Sequence, residues 1–83
     1  MSMIFFTFRA QTQARKGTMI LNKAGIRAKL GRTPAALSSG GCGFGIWVRE
    51  VDGLTAAMQL RGMNLAYEKS YHITDGEQKE VFL

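Results

Sequence analysis

The chemistry this chain can offer is concentrated in Ser38-Ser39-Gly40-Gly41-Cys42-Gly43-Phe44-Gly45. The stretch holds the only cysteine, preceded by two serines and set among four glycines, and it runs directly into an apolar segment. Solitary cysteines are usually small core residues, but a polar, glycine-rich loop is a poor place for one. A free thiol starts near pKa ~8.5 and attacks only as the thiolate. Consecutive glycines can turn several backbone N–H groups toward one point and form an anion-binding nest. Ser38 and Ser39 add hydroxyl donors, and Arg32 and Arg49 are the nearest cations in sequence. The plainer reading weighs the same: a long connection in which glycine supplies turn geometry and Cys42 is incidental.

Other chemistries find little support. The acids Glu50, Asp52, Glu68, Asp75, Glu77 and Glu80 fall in turns or on polar faces, and none is bracketed by apolar residues that would separate its pKa from a partner's. One cysteine and one histidine, His72, cannot assemble a metal site, and neither a metal nor an organic cofactor is called for. A single cysteine also excludes an intramolecular disulfide. The net charge is +5 and the pI about 9.9. The basic residues are scattered rather than blocked, so general solubility outweighs a dedicated acidic partner. No apolar run is long enough to span a membrane. The opening Met1–Phe8 has neither the basic start nor the length of a secretory signal. A cytoplasmic location is expected.

Positioning these residues falls to a single small domain over 1–83, with its core over about 3–73 and a tail at 74–83. Met3–Phe8 is rich in aromatic and β-branched residues and reads as a buried strand. Gln11–Ala24 has helical spacing, with Ala14, Gly17, Leu21 and Ala24 on one face and Gly25 as its stop. Gly17 would let this helix approach a sheet closely. Ile26–Leu30 alternates apolar and basic residues and suits an edge strand. Phe44–Glu50 reads as a second buried strand, with Phe44, Ile46 and Val48 on one face and Gly45, Trp47 and Arg49 on the other. Asp52 caps a helix over Gly53–Arg61 whose apolar side is Leu54, Ala57, Met58 and Leu60. Leu65–Ile73 is the last strand. The order implies an α+β, ferredoxin-like βαββαβ sandwich, a four-stranded antiparallel sheet with two helices on one face. In that sheet His72 lies too far from Cys42 to activate it.

The segment Thr33-Pro34-Ala35-Ala36-Leu37-Ser38-Ser39-Gly40-Gly41-Cys42-Gly43 resembles the Se/S carrier-like family, small bacterial domains with a Ser/Gly–Cys–Gly loop. The resemblance runs roughly from Ile4 to Ile73. It implies that Cys42 is the carrier atom, holding a persulfide or selenopersulfide, with Ser38, Ser39, Gly40, Gly41 and Gly43 as its cradle. It also implies protein donors and acceptors, a cysteine desulfurase-like enzyme among them, and a carrier or binding role rather than turnover catalysis. Where the family places a basic residue after the proline this chain has Ala35, and Arg32 offers a cation from the other side.

Two alternatives come from the same residues. Cys42–Arg49 overlaps the Gly-aromatic-Gly centre of an RNA-recognition octamer, with Ile4-Phe5-Phe6 as the partner motif and Phe44 as a base-stacking ring. A basic first residue and an aromatic fifth are missing, since Cys42 and Ile46 stand there. The third reading is an interaction module in which the helix-free sheet face, with Phe5 and Trp47, forms a homodimer.

Overall fold

The computed structural model describes residues 2–34, 37 and 43–83. Ser38, Ser39, Gly40, Gly41 and Cys42, the centre of the sequence reading, lie outside the described residues.

The elements run β1 (Met3–Phe8), α1 (Gln11–Lys23), β2 (Ala28–Arg32), β3 (Phe44–Arg49), a 3-10 turn (Glu50–Asp52), α2 (Gly53–Gly62), β4 (Lys69–Thr74) and β5 (Glu77–Val81). The strands form one sheet in the order β2-β3-β1-β4-β5, and every neighbouring pair is antiparallel. β1 sits at its centre, as its sequence demands: Ile4, Phe5, Phe6 and Phe8 are all buried. Alternation sends Ile4, Phe6 and Phe8 to one face, where they join Ile46 and Val48 of β3, Ala14 and Leu21 of α1, and Ala56, Ala57 and Leu60 of α2 in one core.

Two glycines let the layers close. At Gly17 a Cβ would stand 2.7 Å from Ile46 Cδ1 and 3.1 Å from Leu65 Cδ2. The expected close approach of α1 to the sheet is therefore present. At Gly45 a Cβ would fall on the carbonyl oxygen of Phe6 and on the Phe5 ring, so β3 must be bare there.

Four expectations change. The sheet has five strands, because residues expected as a tail form β5. Asp75-Gly76 makes a two-residue connection between the paired Thr74 and Glu77, with Gly76 at φ 80°. β2 begins at Ala28 rather than Ile26. The Ile26 amide donates to Leu21 O at 2.9 Å and completes the stop of α1 around Gly25. The Asn22 side chain then takes both the amide and the carbonyl of Ala28, each at 3.2 Å. β4 begins at Lys69 rather than Leu65, because the Leu65 amide closes back on Leu60 O at 2.9 Å and Asn64 adopts φ 58°.

Finally, α2 buries Gly53, Ala56, Ala57 and Leu60, leaving Leu54 59% and Met58 60% exposed. Ile4 lies directly beneath Gly53, where a Cβ would meet its Cγ1 at 2.8 Å, so the first turn of the helix must be bare at that point. Arg61 points outward and donates to Tyr67 Oη at 3.0 Å and to the Leu83 carbonyl at 2.6 Å.

Gly45→Ala should destabilise the protein by on the order of 3 kcal/mol, because the new methyl overlaps backbone that cannot yield. Gly62→Ala, with nothing within 4 Å of its Cβ position, should stabilise by up to about 1 kcal/mol through helix propensity. Urea unfolding of the two variants checks the contrast.

Candidate functional site

The ladder between β2 and β3 fixes where the cysteine-bearing connection leaves and rejoins the sheet. Arg32 pairs with Phe44, and one residue further the Thr33 amide donates to the Gly43 carbonyl at 2.8 Å. Gly43 packs against the Thr33 side chain; a Cβ there would stand 2.8 Å from its Oγ1. Within the connection, the Leu37 amide donates to Pro34 O at 2.9 Å. Its two ends are thus joined at one rim of the sheet. Cys42 precedes Gly43 in the chain and lies outside the described residues.

Two further groups share that rim. Arg9 follows Phe8 and Gly43 precedes Phe44, so both lie one residue beyond the Phe8–Phe44 pair, and the Arg9 guanidinium meets Glu68 Oε2 at 3.3 Å. Helix α1 opens just beyond, at Gln11, with no acid in its first turn and no side-chain cap. Its partial positive end therefore faces the rim unneutralised by its own sequence. Neither Arg9 nor this helix terminus could be found by sequence distance from Cys42. Both follow from the β1–β3 register.

Of the sequence-selected cations, the fold brings Arg32 to this rim and sends Arg49 away. Arg49 ends β3, about 20 Å along an extended strand from Gly43, and its guanidinium engages Asp52 at 3.2 Å. His72 is equally remote. It pairs with Ile4, which pairs with Val48, so it sits at the Arg49 end and roughly 10 Å across the sheet from β3. There its Nε2 contacts Glu50 Oε2, a pair the sequence reading missed because 22 residues separate the two. Phe44, the proposed base-stacking ring, faces the helix layer and packs against the core. No group of three or more His, Cys, Asp or Glu among the described residues is placed to hold a metal. No helix among them is long and apolar enough to cross a membrane.

A family model described as "Putative Se/S carrier protein-like" matches residues 3–72. The chain belongs to the Se/S carrier-like family. The match runs from the start of β1 to His72 in β4, spans the Cys42 connection, and stops before β5. No curated protein and no solved structure matches the chain.

The His72–Glu50 pair is half open to solvent, with side chains 30% and 52% exposed, and pairs of this kind contribute little. His72→Gln and Glu50→Gln should each change stability by less than about 1 kcal/mol and leave the alkylation rate of Cys42 unchanged. A clear drop in that rate would bring the pair into the chemistry.

Proposed function

We propose that this protein carries sulfur or selenium on Cys42, as a persulfide or selenopersulfide, and passes it between partner proteins. The observation that carries the reading is the family match, which spans the cysteine and its loop. Supporting it is the joining of the loop's two ends by the Thr33–Gly43 hydrogen bond, at the rim that also holds Arg9, Arg32 and the start of α1. In this reading the Cys42 thiolate is favoured by amides of Gly40, Gly41 and Gly43, hydroxyls of Ser38 and Ser39, and the positive charge of Arg32. The first four strands, in the order β2-β3-β1-β4 with both helices on one face, are a ferredoxin-like core to which β5 is appended.

The transfer conserves atoms and electrons. The Cys42 thiolate attacks the outer sulfur of a donor protein's persulfide. A new S–S bond forms to Cys42 Sγ as the donor's S–S bond breaks. The electron pair of the broken bond leaves on the donor sulfur as a thiolate, and the proton of the terminal S–H stays with the transferred sulfur or exchanges with water. An acceptor thiolate then repeats the attack on the Cys42 persulfide and releases Cys42 as the thiolate. No oxidant or reductant is consumed. The same exchange with a terminal selenium would carry selenium. A cysteine desulfurase-like enzyme is a fitting donor, and the chain's +5 charge favours donors and acceptors with acidic faces. Such chemistry suits the reducing cytoplasm.

Incubated with a cysteine desulfurase and cysteine, the protein should gain one sulfur by intact mass, and Cys42→Ser should gain none. Arg32→Glu should slow loading several-fold without changing stability, since Arg32 is exposed. An unmodified wild-type protein under conditions that load a known carrier would contradict the proposal.

A further inference from the structure

The sheet face turned away from the helices carries a row of aromatic residues that the carrier reading does not use. Strand alternation places Met3, Phe5 and Thr7 of β1 on this face, opposite the core residues. Phe5 pairs with Trp47 on one side and Tyr71 on the other, so three rings line up across β3, β1 and β4. Phe5 is fully buried, its ring centroid 4.7 Å from that of Trp47 at an interplanar angle of 55°. The Trp47 indole lies over the bare backbone of Gly31, where a Cβ would meet Nε1 at 2.7 Å. Trp47 and Tyr71 remain partly exposed. Phe5 is thus the wedge that holds the partly exposed Trp47 ring in place, with Tyr71 as its register partner on the other side.

Cations border the row. Lys29 is the register partner of Trp47, Arg49 that of Met3 and Lys69 that of Thr7. Arg49 is shared with Asp52; Lys29 and Lys69 are exposed. Glu80, opposite Tyr71 on β5, is the one acid this register places on the face. A second copy of a chain with net charge +5 would bring like charge against this border. A polyanion with planar bases matches both the rings and the lysines.

We propose that this face binds single-stranded nucleic acid, with bases stacked on Trp47 and Tyr71 and phosphates neutralised by Lys29 and Lys69. The platform differs from the one expected from the octamer pattern, since Phe44 points into the core and Trp47 takes the exposed position.

The test is a titration of the full chain with a short, end-labelled oligouridylate at low salt, read by anisotropy and by quenching of Trp47, the only tryptophan. Both signals should saturate together, and affinity should fall as salt rises. Tyr71→Leu keeps bulk but removes the ring and should weaken binding by roughly five-fold or more. Lys29→Glu combined with Lys69→Glu changes only exposed residues and should weaken binding and flatten the salt dependence by roughly two phosphate contacts. Cys42→Ser should bind like the parent, which keeps this proposal separate from the carrier reading. Absence of binding at low salt overturns it, as does binding that neither variant alters. A dimer seen in sedimentation and lost in Tyr71→Leu would assign the face to a second copy and overturn it as well.

Discussion

The hydrogen bond from the Thr33 amide to the Gly43 carbonyl, 2.8 Å long, ends the β2–β3 ladder. It turns a long glycine-rich connection into a loop whose two ends are held together. Closing such a loop costs chain entropy that grows only slowly with length, and the ladder from Ala28–Val48 to Arg32–Phe44 offsets it. With these ends fixed, Thr33 and Gly43 stand together at one rim of the sheet. The same rim receives the end of β1, the Arg9 guanidinium and the start of α1. Positive charge thus reaches it from two parts of the chain that are distant in sequence, Arg32 and the Arg9–α1 junction, with Glu68 paired to Arg9. Arg49 and His72 belong to the opposite rim, with Asp52 and Glu50 as their partners. The two ends of the sheet are therefore chemically distinct.

Close approach of side chains to bare backbone makes that frame rigid. Gly17 lets Ile46 reach α1 on one face, and Gly45 lets the Phe5 ring lie against β3 on the other. β1 is consequently covered on both faces although helices pack on only one. The helix-free face is closed by its own aromatic side chains, and this leaves Trp47 and Tyr71 as a partly exposed surface beside the buried Phe5. A sheet whose central strand needed a second protein to cover it would show Phe5 exposed.

Strands with strong alternation were legible in the sequence. Phe44–Arg49 faces the core and the open side in the expected alternation, and Gln11–Lys23 stops at Gly25, which has φ 85°. Errors arose where backbone hydrogen bonding overrides hydropathy. Ile26 and Leu65 are buried and apolar, yet both amides are taken by the preceding helix, so neither belongs to a strand. The Asp75-Gly76 hairpin signal was present, but β5 is so polar that it resembled a tail. α2 misled because two of its large apolar residues, Leu54 and Met58, face outward while Ala56, Ala57 and Leu60 are buried. At the site, sequence proximity selected both Arg32 and Arg49. Only the register separates them, because an extended strand carries its last residue far from its first. Arg9 could not be found without knowing that β1 and β3 are neighbours.

The central claim is that Cys42 is an accessible thiol inclined to ionise. The rate of its alkylation by a small neutral haloacetamide, followed across pH, reports access and thiolate fraction together. The account predicts rapid reaction in the folded protein with a midpoint clearly below the ~8.5 of a free thiol. A midpoint at or above that value, or labelling that begins only when the protein unfolds, would contradict it.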